Sequence, residues 1–162
     1  MGGEIRSYHR LTSRKKAITT ARTVWAEGED WLVLGGGSNL VVADDPFTGH
    51  VLHIAWKGKR LTDTSGDRVL LTVQAGEDWD HLVAFCAAEG LQGLESLSGI
   101  PGTVGASVIQ NIGAYGHEID EALESIEFLD FTDHQEKILR PDELHLGHRT
   151  SALKTGLLQG LV

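Results

Sequence analysis

A glycine-rich segment, residues 98–116, constrains this chain more than any other part of it. Its sequence is SGIPGTVGASVIQNIGAYG, with five glycines among nineteen residues and no Asp, Glu, Lys, Arg or His. Glycine lets a backbone approach a ligand closely and adopt positive φ angles without strain. Irregular segments of this length are usually functional when they are ordered. The pattern predicts a segment that holds a ligand; a long irregular surface loop is the alternative.

A second glycine run, GGGSN at residues 35–39, follows the apolar stretch WLVL. A P-loop is excluded because no Gly-Lys-Ser or Gly-Lys-Thr follows, and the spacing of the dinucleotide fingerprint is also absent. The next residues, LVVA, are extended in character, so consecutive N–H groups would hold a phosphate without a helix terminus. A glycine hairpin turn is the competing interpretation. Together the two segments suggest backbone loops around one large polyanionic ligand. The amides of Gln110 and Asn111 would suit the edge of a flavin or a nucleobase.

Composition narrows the function classes. The chain has 162 residues, 41% apolar residues and a net charge of −9, which disfavours a general nucleic-acid or membrane-surface role. Its length allows one domain or two small ones. The single cysteine, Cys86, excludes a disulfide framework and fits a reducing cytosol, with a buried core thiol as the expected state. We expect no membrane span and no signal peptide, and a cytoplasmic location.

Hydrophobic periodicity predicts alternating helices and strands. Helices are expected at residues 13–27 (capped by Ser13 and ended by Gly28), 77–89 and 104–109, with one helical turn at 141–144. Strands are expected at residues 31–34, 50–56, 69–73, 125–131 and 135–139, with extended character at 40–43 and 157–162. A Lys- and Gly-rich break at residues 55–63 would divide a smaller lobe, residues 1–58, from a larger one, residues 59–162. Because the last apolar run stops abruptly, we expect the chain to be part of a longer one.

Two histidine pairs have the spacing of metal ligands. They are His50 with His53 and His145 with His148, each with two residues between. Neither pair has a third ligand at convincing spacing, and the two histidines of the first pair alternate along a predicted strand. We therefore expect no metal ion.

Five motifs in order resemble one enzyme family. They are LGGGSN at residues 34–39, AGEDW at 75–79, GLESLSGIPGTVG at 93–105, QNIGAYG at 110–116 and GHRTS at 147–151. This set is similar to the UDP-N-acetylenolpyruvoylglucosamine reductases (UDP-N-acetylmuramate dehydrogenases), from about Gly2 to the last residue. Two departures stand out. His148 replaces a tyrosine, and Glu4-Ile5 replaces a Pro-Ala pair.

The resemblance implies an α+β fold, a two-lobed FAD-binding domain of the vanillyl-alcohol-oxidase type. The first glycine loop (residues 35–39) would wrap the pyrophosphate, the second (residues 98–106) would meet the diphosphate and ribityl chain, and residues 110–115 would lie near the isoalloxazine. The implied cofactor-binding residues are Gly35, Gly36, Gly37, Ser38, Asn39, Ser98, Gly99, Ile100, Pro101, Gly102, Thr103, Gly105, Ala106, Gln110, Asn111, Gly113, Ala114 and Tyr115.

The implied reaction uses FAD and NADPH to reduce UDP-N-acetylenolpyruvoylglucosamine to UDP-N-acetylmuramate, a peptidoglycan precursor. Arg149 is the implied catalytic residue, because a guanidinium matches the charge that develops on the carboxylate beside the reduced double bond. A surface arginine paired with Asp142 or Glu143 is the alternative. The family's proton-donating serine and assisting glutamate belong to a substrate domain beyond Val162, so we expect little turnover from this chain alone.

Two other functions stay open on the sequence. One is a flavin- or nucleotide-binding module without catalysis. The other is a flavin oxidase with the same loops and another substrate, for which a covalent-attachment His or Cys is expected near the first glycine loop. His50 and His53, the histidines that follow that loop most closely, come after it on a predicted strand.

Overall fold

The computed structural model describes residues 2–162, apart from the side chains of residues 63–65. The helices are Arg14–Glu27 (α1), Trp79–Ala88 (α2) and Val104–Ile109 (α3), with 3₁₀ turns at Glu95–Leu97, Ile119–Glu121 and Pro141–Leu144. The strands are Ile5–Leu11 (β1), Trp31–Leu34 (β2), Phe47–Ile54 (β3), Lys59–Ser65 (β4), Arg68–Val73 (β5), Gly113–Ala114 (β6), His117–Glu118 (β7), Ile126–Asp130 (β8), Glu136–Leu139 (β9) and Gly160–Leu161 (β10). The predicted mixture of helices and strands is confirmed.

The first sheet is parallel throughout, in the order β1-β3-β2. Leu11, Leu52 and Ile54 pack beneath Ala17, Ala21, Val24 and Trp25 of α1. The helix begins where the Ser13 hydroxyl accepts the N–H of Lys16, and it ends at Gly28, whose φ is 70°. Such an N-terminal cap is worth about 1 kcal/mol, and glycine tolerates the left-handed turn that follows the helix. Both predicted helix signals are confirmed.

The rest of the chain forms antiparallel pairs around a second core. Strand β8 pairs with β9 and β10, β4 forms a hairpin with β5, and β6 pairs with β7. Trp79, Val108, Phe128 and Leu144 are among the buried residues of this core. Cys86 is also buried there, and burial raises the pKa of its thiol. This confirms the expected core thiol.

The two cores meet beside α1. Trp25 and Trp31 both contact the ring of Phe131, with centroids 5.4 Å away in each pair. Ala75, Leu129 and Leu161 pack into the core of the first sheet although they follow residue 59. The division into residues 1–58 and 59–162 therefore stays a prediction. Among the described residues, no helix is long and apolar enough to cross a bilayer.

Several predicted elements differ from the structure. Residues 40–43 form no strand, and Val41 is 90% exposed; the Leu40 N–H donates to the Gly37 carbonyl in a turn, and the Ala43 carbonyl accepts the N–H of Gly3. Strand β3 begins at Phe47, three residues earlier than predicted, and β10 covers only two residues of the apolar run at 157–162. Strands β1 and β4 have no counterpart in the prediction, and β4 begins within the stretch, residues 55–63, where a break between two lobes was expected. The other predicted helices and strands are present, within one or two residues.

Candidate functional site

The first glycine loop begins at the carboxyl ends of the three parallel strands. Arg10 of β1 is in register with His53 of β3, and His53 is in register with Leu34 of β2. Gly35 follows Leu34 directly. The carboxyl ends of parallel strands are where ligands bind in open α/β sheets. The row Arg10–His53–Leu34 thus leads across the sheet to the glycine loop.

The two glycine loops lie against each other. Ser38 Oγ donates a hydrogen bond of 3.1 Å to the carbonyl of Pro101, and Asn39 Nδ2 donates one of 3.1 Å to Gln110 Oε1. A Cβ atom on Gly36 would lie 3.3 Å from Gly102 Cα, tighter than ordinary van der Waals contact. Glycine is required here because two backbones approach closely. The structure therefore brings together the two segments that the sequence placed 63 residues apart.

A cleft of about 360 Å³ opens beside these loops. Ligand pockets commonly have volumes of about 300–1,000 Å³. The lining includes Gly35, Gly36, Ser38, Pro101, Gly102 and Thr103 from the predicted set, together with Arg10, His53, Ile54, Ala55, Lys57, Gly76 and Asp78. Six of the predicted binding residues therefore line the cleft, together with seven residues that the prediction did not assign to cofactor binding.

The cleft carries local positive charge in an acidic protein. Arg10 and Lys57 line it, opposite only one acidic lining residue, Asp78. The pKa of His53 is lowered by burial and by the nearby Arg10, so this histidine is neutral at pH 7. Its Nδ1 is hydrogen-bonded to the hydroxyl of Tyr8. Guanidinium and ammonium groups beside glycine N–H groups suit a phosphate-bearing ligand.

The second glycine loop is held by hydrogen bonds within the protein. The Ser98 hydroxyl and the Gly99 N–H both donate to Asp80 Oδ1, at 3.0 and 2.7 Å. The N–H groups at the start of α3 are also used, that of Val104 by Glu77 O and that of Gly105 by Ala75 O. These N–H groups have partners within the protein and shape the loop. The contact of Ser98, Gly99 and Gly105 with a cofactor stays a prediction.

Asn111 lies at the centre of a buried polar network. It is 0% exposed with φ at 46°, and its Nδ2 donates 2.6 Å to Glu118 Oε2 and 3.2 Å to Gly147 O. Its Oδ1 has no hydrogen-bond partner among the described residues. A buried amide oxygen without a donor is rare in native proteins. It is an acceptor without a donor on any described residue, and the place of residues 110–115 beside a heterocyclic ring stays a prediction.

Arg149 lies against the same segment. Its guanidinium donates 2.7 Å to the carbonyl of Gly113, and its φ is 54°. Glu143 accepts a hydrogen bond from the backbone N–H of Arg140, so the contact described for Arg149 is with the glycine segment. His148, which replaces the family tyrosine, has its Nδ1 3.3 Å from Glu118 Oε1. Gly113 and Ala114 form the short strand β6, and Tyr115 is 90% exposed.

Some lining residues were missed because their place in the cleft depends on the order of the strands in the sheet. Arg10 is on β1, whose sequence IRSYHRL shows only a weak alternation of apolar and polar residues. Lys57 follows β3 in the Lys- and Gly-rich stretch that was predicted to divide the two lobes. A cationic residue at the end of a strand next to a glycine loop would have indicated a phosphate-binding residue. This arrangement cannot be recognised from the sequence, because it depends on β1 and β2 flanking β3.

The comparisons with known proteins agree with this geometry. Residues 6–141, most of the chain, match a family model described as an FAD binding domain. The chain belongs to this family of FAD binding domains, and FAD is the cofactor that the family implies. The site fits this group, because the glycine contacts, the cationic cleft and the unpartnered Asn111 oxygen suit a diphosphate and a heterocycle.

Named relatives narrow the family further. The chain is 48% identical over 144 residues to a UDP-N-acetylenolpyruvoylglucosamine reductase of Leifsonia xyli, covering 89% of this chain and 38% of the relative. It is 45% identical over 154 residues to the enzyme of the same name from Saccharopolyspora erythraea, covering 95% and 42%. The crystal structure of UDP-N-acetylenolpyruvylglucosamine reductase from Thermus caldophilus superposes with a TM-score of 0.72 at 33% identity, covering 96% of this chain and 52% of that one.

These matches confirm the resemblance, the α+β FAD-binding fold of the vanillyl-alcohol-oxidase type and FAD as the cofactor. The chain spans about two fifths of the length of the curated relatives it matches.

Asp80 provides a pH-dependent test of the second loop. The Gly99 N–H and the Ser98 hydroxyl hold the pKa of Asp80 below its ordinary value. A carboxylate with a lowered folded pKa stabilises the fold above its unfolded pKa, and that contribution is lost as pH falls through the folded value. We expect Asp80→Asn to lower the melting temperature at pH 7, with a difference from the wild type that shrinks as pH falls below the ordinary pKa of an aspartate. Thermal unfolding across this range is the measurement; a difference that persists unchanged at pH 3 would argue against the ionic role.

Proposed function

We propose that this chain is the FAD-binding part of an NADPH-dependent UDP-N-acetylenolpyruvoylglucosamine reductase, acting in the cytoplasm in peptidoglycan precursor synthesis. The convergence of both glycine loops on one cationic cleft carries the proposal. The similarity to reductases of that name, over most of this chain, supports it. The substrates would be NADPH and the enolpyruvyl UDP-sugar, and the rest of the enzyme would complete their binding sites.

The residues of the cleft would divide the work of binding. The N–H groups of the first glycine loop, with Arg10 and Lys57, would hold the diphosphate. Gln110 and the unpartnered Asn111 oxygen would fix the heterocyclic ring by hydrogen bonds. The first loop would be kept in place by the hydrogen bond from Ser38 to Pro101.

Arg149 would face the reacting end of the site. FAD, when bound, supplies hydride transfer. A guanidinium that stays protonated throughout would stabilise the charge that develops on the substrate carboxylate. The bond from Arg149 to the Gly113 carbonyl would orient the side chain toward the segment that adjoins the heterocycle. Removal of one such charge-stabilising donor costs about 100- to 1,000-fold in rate.

The experiment uses a longer protein that contains this chain and the remaining length of its relatives. We expect Arg149→Ala to slow reoxidation of the bound flavin by the UDP-sugar about 100-fold or more, while reduction by NADPH changes little. Stopped-flow absorbance separates the two half-reactions. Arg140→Ala is the matched control, because Arg140 is exposed and lies 3.8 Å from Glu124.

Two results would contradict the proposal. One is an Arg149→Ala enzyme with both half-reactions at the rates of the wild type, which would remove this arginine from the mechanism. The other is a longer wild-type protein that binds FAD but does not oxidise NADPH, which would favour a flavin-binding module without catalysis.

A further inference from the structure

A second cluster of polar residues lies at the opposite end of the parallel sheet from the cleft. His50 of β3 is 6% exposed and aligns with Ser7 of β1 and Trp31 of β2. Glu27 is the last residue of α1, and Glu29 follows it in the turn to β2. Gly28, at φ 70°, reverses the chain between them. The helix end thus places two carboxylates over one buried imidazole.

The imidazole nitrogen that faces these carboxylates makes no hydrogen bond. His50 Nε2 lies 2.9 Å from Glu27 Oε2 and 3.3 Å from Glu29 Oε2. Within the described part of the chain it nevertheless has no hydrogen-bond partner, since neither oxygen meets the directional requirement. A buried ring nitrogen without a hydrogen bond requires an explanation. A metal ion between this nitrogen and the two carboxylate oxygens supplies one.

The separations match the edges of a metal coordination shell. One ligand atom from each of the three residues lies within 4.8 Å of the others. A tetrahedral zinc ion with bonds of about 2.1 Å holds its ligand atoms about 3.4 Å apart. Imidazole nitrogen with carboxylate oxygen is a donor set that suits zinc and its neighbours among the divalent transition metals.

The other ring nitrogen of His50 is already oriented for this role. His50 Nδ1 and His9 Nε2 are 3.0 Å apart, and the two rings are stacked with centroids 5.3 Å apart. His9 Nε2 can accept the N–H of His50 Nδ1 across this distance. That bond would fix the tautomer in which Nε2 presents a lone pair. A hydrogen bond of this kind behind the ligand is usual at metal-binding histidines.

The local electrostatics favour a cation. The carbonyl end of α1 carries partial negative charge, its last turn holds no basic residue, and both carboxylates are beside it. Arg6, whose side chain is 57% exposed, donates 2.5 Å to Glu29 Oε2 and neutralises part of this charge. Lys16 contributes only a minor repulsion at His9. This is the Glu29 oxygen that lies 3.3 Å from His50 Nε2, so a bound metal would share it with Arg6 or displace Arg6 from it.

We propose that His50, Glu27 and Glu29 form a binding site for one divalent transition-metal ion of the zinc type, with water completing the coordination. The two-residue spacing in the sequence suggests His50 and His53 as a pair of ligands. In the fold, however, His53 contacts Tyr8 and His50 faces the two glutamates. The site lies apart from the cofactor cleft, because residues three apart on a strand face opposite sides of the sheet.

The test titrates the 162-residue chain with zinc chloride alone and follows heat by calorimetry. We expect one equivalent to bind, with the affinity reduced at least tenfold in Glu27→Gln and in Glu29→Gln. Glu121→Gln is the matched control, because Glu121 forms an exposed pair of 2.9 Å with His117 and should leave the affinity unchanged. Both test glutamates are partly exposed, so these variants should fold.

A second readout needs no variant. The imidazole nitrogen resonances of the wild type should show a large zinc-dependent shift at His50 Nε2 and none at the ring of His117. The proposal is overturned if zinc does not bind saturably, if Glu27→Gln and Glu29→Gln bind it like the wild type, or if the His50 resonances do not respond.

Discussion

Replacing Gly35 with alanine is expected to weaken FAD binding by about 10- to 100-fold while leaving the protein folded. A Cβ atom at this position would lie 2.7 Å from Thr103 Oγ1 and 3.2 Å from Ala106 Cβ. Such overpacking typically costs about 1–3 kcal/mol. The strain would be relieved by moving the first glycine loop away from the second, which displaces the N–H groups that are proposed to hold the diphosphate. Flavin fluorescence titration measures the effect, with thermal unfolding as the check on folding.

A double-mutant cycle gives this prediction its control. Thr103→Ala removes the hydroxyl that the new Cβ would meet, so the pair Gly35→Ala with Thr103→Ala should recover much of the affinity. Thr103→Ala alone should have the smaller effect. If Gly35→Ala and the double variant lose the same affinity for FAD, steric contact between the loops does not govern cofactor binding.

Replacing Trp79 with alanine is expected to cost about 3–5 kcal/mol of unfolding free energy. Trp79 is 1% exposed at the start of α2, and its indole N–H donates 2.9 Å to the carbonyl of Leu97. Its backbone N–H also donates 3.1 Å to the carbonyl of Gly102. Urea unfolding should show the loss directly. For a chain of this size it corresponds to a fall in melting temperature of about 10 °C.

Trp79→Phe separates packing from hydrogen bonding. It keeps an aromatic ring in the core but leaves the Leu97 carbonyl without its donor, at a cost of about 1–3 kcal/mol. Since Leu97 immediately precedes the second glycine loop, this variant should also weaken FAD binding. Trp56→Phe is the matched control, because Trp56 is only partly buried and donates to the Gln74 side chain. If both phenylalanine variants lose the same stability and affinity, Trp79 has no special role in holding the loop.

Local signals explain what the sequence could predict of the fold. Ser13 and Gly28 delimit α1 because a hydroxyl cap and a left-handed glycine act within a few residues. The short helix α3 and the β8–β9 pair have strong local patterns and appear where they were expected. In contrast, β1 has a weak alternation and becomes a strand only because β3 supplies its partner. Residues 40–43 have high strand propensity but no neighbouring strand to pair with.

The same distinction applies to the site. Glycine loops can be recognised in the sequence because glycine lets two backbones approach closely. The structure places Gly36 against Gly102 in this way. Arg10, His53 and Lys57 could not be assigned to the cleft, because their position depends on the order β1-β3-β2. His50 illustrates the point further, since its glutamate neighbours lie 23 and 21 residues away in the chain and are brought to it by α1.

We propose that two glycine loops, distant in sequence, form one FAD site. The test is a titration of the isotope-labelled chain with FAD, followed through the amide resonances. We expect Gly36 and Gly37 in one loop, and Gly102 and Gln110 in and beside the other, to shift together in a single saturable step with one dissociation constant. Shifts confined to one loop, or confined to residues outside the cleft, would contradict it.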